Sequence, residues 1–283
     1  MNKLKALPEA IKNVPRGVTL GLGGMILYRR PVAAVMEIIR QGIGDLTLLG
    51  WTLGFEGDLL IGAGLVDVVR TSYFGLESFG LAPMFRSYVE RGKVRVIEES
   101  ESTLGFGFRA ALQNVGFMPA KALIGTDILK VRPDLKLVTC PYTQETYPAM
   151  PAIKPDVTIV HALKADSFGN AVLFANLAAD VELALLAQYT IITTEEVVDT
   201  AEIENQGADI IGKCVDAVVH VPGGALPTSC YPLYPIKGRA IVEYIEACQA
   251  GSFSDYLESL LQADDAGKTK PPFICEPRGG GGK

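Results

Sequence analysis

The chain has 283 residues, 48% of them hydrophobic, with 26 basic against 32 acidic side chains and a formal net charge of −6. That is enough apolar material for a large core and a buried subunit interface, while an acidic balance with no basic run excludes a general nucleic-acid surface. No apolar run reaches the about 18–20 residues that cross a bilayer, which excludes a spanning helix. Residues 1–9 carry charges and a proline where a secretory signal needs an apolar core, so a cytoplasmic protein is expected.

The first strand signal is Val18-Thr19-Leu20-Gly21-Leu22, which runs into Gly23-Gly24-Met25 and then Arg29-Arg30-Pro31. Gly23 and Gly24 can take positive φ and expose bare backbone to a ligand. Pro31 suits the first turn of a helix. The free N–H groups there, beside Arg29 and Arg30, would suit an anion or a carbonyl oxygen. A rapid chain reversal explains the same glycines, and the turn matches neither G-x-G-x-x-G nor G-x-x-x-x-G-K-[ST].

Val32, Val35, Met36 and Ile39 follow at helical spacing, with Glu37 and Arg40 outside, and Gly42 and Gly44 end that helix. Strands are expected at 46–49, 66–73, 94–97, 135–140, 157–161, 190–194 and 215–221. Helices are expected at 83–91, 104–115, 181–189 and 238–250. This alternation is the signature of βαβ units, so the fold class is α/β: an open, largely parallel sheet with helices on both faces. With no internal repeat and no linker, residues 1–262 read as one domain, and 263–283 as a flexible polar tail.

Several residues could carry chemistry. Glu98, Glu99 and Glu101 crowd the end of a predicted strand, where ligands bind in open α/β sheets. Such neighbours raise one another's pKa, although they also suit the N-terminus of the next helix. His161 with Asp166 could form a base and its orienter, or ordinary structure. No G-x-S-x-G accompanies them. Cys230 is either a nucleophile or a buried thiol. The five cysteines lack C-x-x-C spacing and only two histidines exist, so no metal site is expected.

An ordered set of segments then points to one family. It comprises Leu20-Gly21-Leu22-Gly23-Gly24-Met25, Arg29-Arg30-Pro31-Val32-Ala33-Ala34-Val35 and Arg40-Gln41-Gly42-Ile43-Gly44-Asp45-Leu46-Thr47. It continues with Pro155-Asp156-Val157-Thr158-Ile159-Val160-His161, Ala165-Asp166, Gly169-Asn170, Asp180-Val181-Glu182, Val215-Asp216-Ala217-Val218-Val219 and Pro227-Thr228-Ser229-Cys230-Tyr231. In these the chain resembles the A subunit of the family I CoA-transferases, that of glutaconate CoA-transferase in particular.

The resemblance implies a CoA-transferase-type fold, a partner B subunit and a heterotetramer of two A and two B chains, with no nucleic-acid or membrane partner. No permanently bound cofactor is implied, because coenzyme A is part of the substrate. In this family a glutamate attacks the acyl-CoA thioester. It belongs to the B subunit, and its Ser-Glu-Asn-Gly motif is absent here. Gly23 and Gly24 match a Gly-Gly-Phe loop near the active site, with Met25 replacing the phenylalanine. Arg29 or Arg30 would help hold a substrate carboxylate or neighbouring structure, or both would pair across the subunit interface. Glu101 departs from the glutaconate pattern and is similar to a catalytic glutamate in the A subunits of ring-opening acyl-CoA hydrolases. A glutaconyl-type decarboxylase shares the fold, and a non-catalytic scaffold subunit is a further reading.

Overall fold

Seven parallel strands run through the middle of the molecule in a computed structural model that describes residues 1–175 and 177–266. In chain order they are β1 (Thr19–Leu22), β2 (Leu46–Leu49), β3 (Val66–Thr71), β4 (Arg95–Glu98), β5 (Val157–Ala165), β6 (Tyr189–Val197) and β7 (Ala217–His220). Their spatial order is β7-β6-β5-β1-β2-β3-β4, with Ala171–Val172 added antiparallel to β5. Leu20 of β1 lies between Leu48 and Val157, so β1 is the strand from which the chain winds outward in both directions.

Period-two alternation distributes the apolar residues between two faces. Leu20, Leu22, Leu46, Leu48, Ile159 and Ile191 enter the largest core cluster. Leu49, Val160 and Ile192 belong to clusters under the opposite face. Strands covered on both sides carry near-continuous apolar runs, which is why β5 and β6 were readable in the sequence.

The helices that matter here are α1 (Leu7–Ile11), α2 (Val32–Arg40), α3 (Phe55–Gly62), α4 (Pro83–Glu90), α5 (Glu101–Leu112), α6 (Asp180–Leu186), α7 (Gly238–Gln249) and α8 (Phe253–Ala266). Helices α5 and α6 share a cluster of Leu49, Leu104, Phe108, Ile153 and Leu183 with the end of β2. Helix α2 is buried on nearly every side, so Glu37 is not on an outer face. Its carboxylate accepts hydrogen bonds from Arg40 at 3.4 Å and Gln41 at 2.7 Å.

Two sequence expectations change. The 135–140 segment is not in the parallel sheet. Its strand, Lys136–Thr139, pairs antiparallel with Thr146–Pro151, which also pairs with Phe117–Pro119. The domain boundary placed after residue 262 falls inside α8; residues 267–283 lie outside the described residues. Among the described residues, no helix is long and apolar enough to cross a membrane.

Asp58 ties α3, α4 and α7 together. Fully buried, it accepts hydrogen bonds from the amide of Met84 at 3.2 Å and the hydroxyl of Tyr244 at 2.6 Å. Burial pushes its carboxyl up to about 6 from an ordinary 3.8, against those hydrogen bonds, with Glu56 adding to the push. The folded chain therefore binds more protons than the unfolded one between about pH 4 and 6. This stabilising contribution is complete below the unfolded value and is lost as pH rises through 6. Urea titrations of the wild type across that window should show stability falling by on the order of 3 kcal/mol relative to Asp58→Asn. Parallel pH profiles for the two proteins would refute the assignment.

Candidate active site

Because β1 neighbours both β2 and β5, the carboxyl ends of β1 and β5 flank the crevice where an open α/β sheet ordinarily binds ligands. Here the chain fills that crevice with its own groups. Gly23 donates its amide to the Ile159 carbonyl at 3.0 Å, and Gly24 donates to the Asp180 carboxylate at 2.7 Å. The anion at this turn is thus Asp180, the first residue of α6. Burial works against its charge, but Arg29 beside it and the Ala178 and Gly24 amides hold its pKa below the usual range.

Arg29 donates to Asp180 at 3.1 Å and to the His161 carbonyl at 2.7 Å. Arg30, with no exposed surface, donates to the carbonyls of Gly24 at 2.6 Å and Thr52 at 3.1 Å, and to the Glu56 carboxylate. Both guanidiniums are therefore held inside this chain. Of the roles expected for them, holding neighbouring structure is the one these bonds display. Met25 is half-buried in a tight turn, exchanging backbone hydrogen bonds with Tyr28 at 2.9 and 2.8 Å.

Gly24 has φ of +83°, and a Cβ there would lie 2.5 Å from the Arg29 carbonyl oxygen. Its freedom serves the chain's own close approach, not a ligand's. Gly24→Ala should cost at least the about 1–3 kcal/mol of a strained left-handed residue, read as a lowered denaturation midpoint. An unchanged midpoint would show that the turn relaxes freely.

His161 is fully buried, but its partner is not Asp166. The imidazole Nε2 lies 2.7 Å from the Glu195 carboxylate and Nδ1 lies 2.9 Å from the Thr193 hydroxyl. Asp166 instead closes its own turn, accepting from the amides of Phe168 and Asn170, each at 2.9 Å. Glu195 also accepts from the Tyr234 hydroxyl and from the Gly223 amide at 2.6 Å. Burial opposes its charge, yet these donors, His161 foremost, hold its pKa down. His161, Glu195 and Cys230 bring ligand atoms within 4.8 Å of one another. Protein hydrogen bonds already satisfy the carboxylate there. Burial and the Glu195 charge push the Cys230 thiol up to about 12, so it stays protonated and is a poor nucleophile.

The three glutamates near β4 separate. Glu98 is exposed at the strand end. Glu99 is buried between Arg70 at 2.8 Å and Arg132 at 3.0 Å. Arg132 also donates to the Glu98 carbonyl at 2.6 Å, fastening the antiparallel sheet region to the central one. Glu101 lines a pocket of about 290 Å³, which neither Glu98 nor Glu99 joins.

That pocket lies along α5. Ser100 caps the helix: its hydroxyl accepts the Thr103 amide at 3.2 Å, and the Thr103 hydroxyl accepts the Ser100 amide at 2.8 Å. This capping box fixes Glu101 in the first helical turn, where the macrodipole favours a carboxylate. Trp51, Phe106 and Phe108 supply the apolar walls. Trp51 is positioned at its carbonyl by the Ser72 hydroxyl at 2.6 Å. Ser102 and Arg109 join from α5, and Glu182 from α6. None of Gly23, Gly24, Met25, Arg29 and Arg30 lines this pocket. Tyr28 lines a separate hollow of about 520 Å³ with Ser229, Tyr231 and Tyr234.

A pocket against the first turn of a helix, beside the carboxyl edge of an open parallel sheet, defines a doubly wound α/β protein. Within that class, the chain belongs to the Coenzyme A transferase family, whose model matches residues 4–221. It is 37% identical over 243 residues to the A subunit of the 3-oxoadipate CoA-transferase of Pseudomonas knackmussii, covering 84% of this chain and 86% of that one. It is 35% identical over 254 residues to the A subunit of the glutaconate CoA-transferase of Acidaminococcus fermentans, covering 83% and 79%. The crystal structure of that glutaconate enzyme superposes with a TM-score of 0.87 at 31% identity, over 95% of this chain and 94% of that one.

Other chemistries also occur among its relatives. The cholesterol ring-cleaving hydrolase IpdA subunit of Mycobacterium tuberculosis is 32% identical over 287 residues, covering 94% and 95%. The decarboxylase AibA/AibB superposes with a TM-score of 0.84 at 30% identity, over 93% of this chain and all of that one. The chain spans only 56% of an uncharacterised Archaeoglobus fulgidus protein to which it is 38% identical over 249 residues.

Proposed function

We propose that this chain, the A subunit of a CoA-transferase, works in the cytoplasm in a heterotetramer of two A and two B subunits. The assembly moves coenzyme A from an acyl-CoA to a carboxylic acid, with coenzyme A entering and leaving as part of the substrate. The attacking carboxylate is a glutamate of the B subunit. It displaces the CoA thiolate to give an anhydride, and the thiolate then takes the enzyme carbonyl as a thioester and releases the first acid. The acceptor acid reverses these steps and leaves as the new acyl-CoA.

One observation carries the reading: likeness to named transferase A subunits over more than four fifths of the chain. The pocket agrees with it, because no histidine or lysine lines the pocket to activate Ser102. The Gly23–Gly24 loop contributes by fixing the carboxyl edge of the sheet, and Arg29 and Arg30 by fixing the loop.

A second reading rests on Glu101. It lines the pocket with no hydrogen bond or ion pair among the described residues, so it is available as a general base toward water. The test is to assemble the chain with its B subunit and supply an acyl-CoA with a panel of mono- and dicarboxylic acids. Transfer predicts new acyl-CoA only when an acceptor is present. Free thiol without an acceptor would replace it with hydrolysis, and CO₂ release with decarboxylation.

A further inference from the structure

The hollow beside Tyr28, of about 520 Å³, is larger than the pocket along α5, and the chemistry above leaves it unused. Tyr28, Tyr231 and Tyr234, two prolines and Ile236 form its walls, with Ser229 among them. No charged side chain and no histidine lines it. Ser229 is buried, yet its Oγ has no hydrogen-bond partner, and such a group in a folded chain calls for a reason. Its backbone is fixed: the amide donates to the Leu27 carbonyl at 2.9 Å, and the carbonyl accepts from the Arg29 amide at 2.6 Å. Tyr234 is already committed, because its hydroxyl donates to Glu195 and so sets a carboxylate behind the wall. A hollow of this kind disfavours phosphates and acids. It suits a neutral chain in which methylenes alternate with amides.

We infer that this hollow holds the pantetheine arm of the acyl-CoA. The Ser229 hydroxyl bonds an amide of the arm, and the tyrosine and proline rings enclose its methylenes. The inference rests on the acyl-CoA reading above. The two hollows are neighbours, because the Ile26 amide donates to the Thr52 hydroxyl at 3.0 Å. Ile26 lies two residues before Tyr28, and Thr52 follows Trp51, a wall of the Glu101 pocket. That path sets the Tyr28 and Trp51 backbones no more than about 18 Å apart. A pantetheine arm has the length of roughly four extended residues, or about 14 Å. The two lengths are comparable. A thioester seated at Glu101 therefore sends its arm over the Met25–Tyr28 turn into the second hollow, and the nucleotide stays outside.

Two substitutions probe the hollow without dismantling it. Ser229→Ala removes a hydroxyl that bonds nothing within the chain, so the denaturation midpoint should not fall. Tyr231 is 60% exposed, with its ring tilted against Phe174 at 5.9 Å between centroids, so Tyr231→Ala removes a wall and little of the fold.

The experiment is calorimetric binding of S-pentyl-CoA, S-pentyl-pantetheine and adenosine bisphosphate to the chain assembled with its B subunit. Ser229→Ala should weaken both arm-bearing ligands by the same factor, about two- to tenfold. Tyr231→Ala should weaken both by at least about threefold. Neither variant should change the affinity for adenosine bisphosphate. Unchanged binding of the arm-bearing ligands in either variant would overturn the inference, as would a wild type that binds S-pentyl-CoA but not S-pentyl-pantetheine. So would an equal loss of adenosine bisphosphate, which assigns the hollow to the nucleotide. A lowered midpoint in Ser229→Ala would make the hydroxyl structural, and failure of Tyr231→Ala to assemble would make the hollow a subunit contact; both overturn it. In each of those cases the acyl-CoA reading stands. Absence of S-pentyl-CoA binding to the wild-type complex would overturn that reading and the inference with it.

Discussion

Arg30→Met is expected to destabilise the chain by about 3–5 kcal/mol, the cost of leaving one partner of a buried ion pair alone. Arg30 and Glu56 have no exposed side-chain surface, and the guanidinium also bonds the Gly24 and Thr52 carbonyls. Methionine fills the volume but satisfies none of these groups. Glu56 would keep only the weak 3.3 Å donor of the Gly54 amide. Changing both partners, in Arg30→Met with Glu56→Leu, should recover most of the loss, because the desolvated charges disappear together. Chemical denaturation of the four proteins in this cycle gives the coupling directly. A single-variant loss below about 1 kcal/mol, typical of an exposed pair, would mean the guanidinium is not what holds this loop.

This pair also shows where sequence reasoning stops. The parallel sheet was legible because strands covered on both faces are written as unbroken apolar runs. Lys136–Thr139 carries apolar residues too, but Leu137 is 61% exposed and the segment belongs to the smaller antiparallel sheet. Composition of four residues cannot distinguish those settings. Likewise, Arg29 and Arg30 stand out beside the glycines, yet their partners lie far along the chain, at Asp180 and Glu56. Nothing local says that the charges turn inward. Glu195 did carry a signal: an acid inside the β-branched run of β6, two residues after the Thr193 that pairs with His161. A carboxylate in a buried strand needs donors, and the buried histidine on the neighbouring strand supplies one. Reading His161 against Asp166 favoured proximity in sequence over this strand-to-strand register.

Glu101→Gln is expected to separate the two chemistries open to this fold. Thioester hydrolysis without an acceptor should fall about 100-fold or more, since a glutamine cannot take a proton from water. CoA exchange onto an acceptor acid should fall less than about tenfold, because in the transfer proposed above the attacking carboxylate is the partner's and Glu101 would only shape the field around it. The substitution is a clean probe. Glu101 is exposed at the first turn of α5, and the capping box is made by Ser100 and Thr103, which remain. Stability should therefore change by no more than about 1 kcal/mol, the usual worth of an exposed carboxylate at a helix N-terminus. The measurement is a paired assay on the assembled enzyme, following free thiol in one reaction and acceptor acyl-CoA in the other. If both rates fall together by about 100-fold, Glu101 takes part in the transfer step itself, and the division of labour between the subunits must be redrawn. If neither falls, the carboxylate belongs to the helix terminus alone.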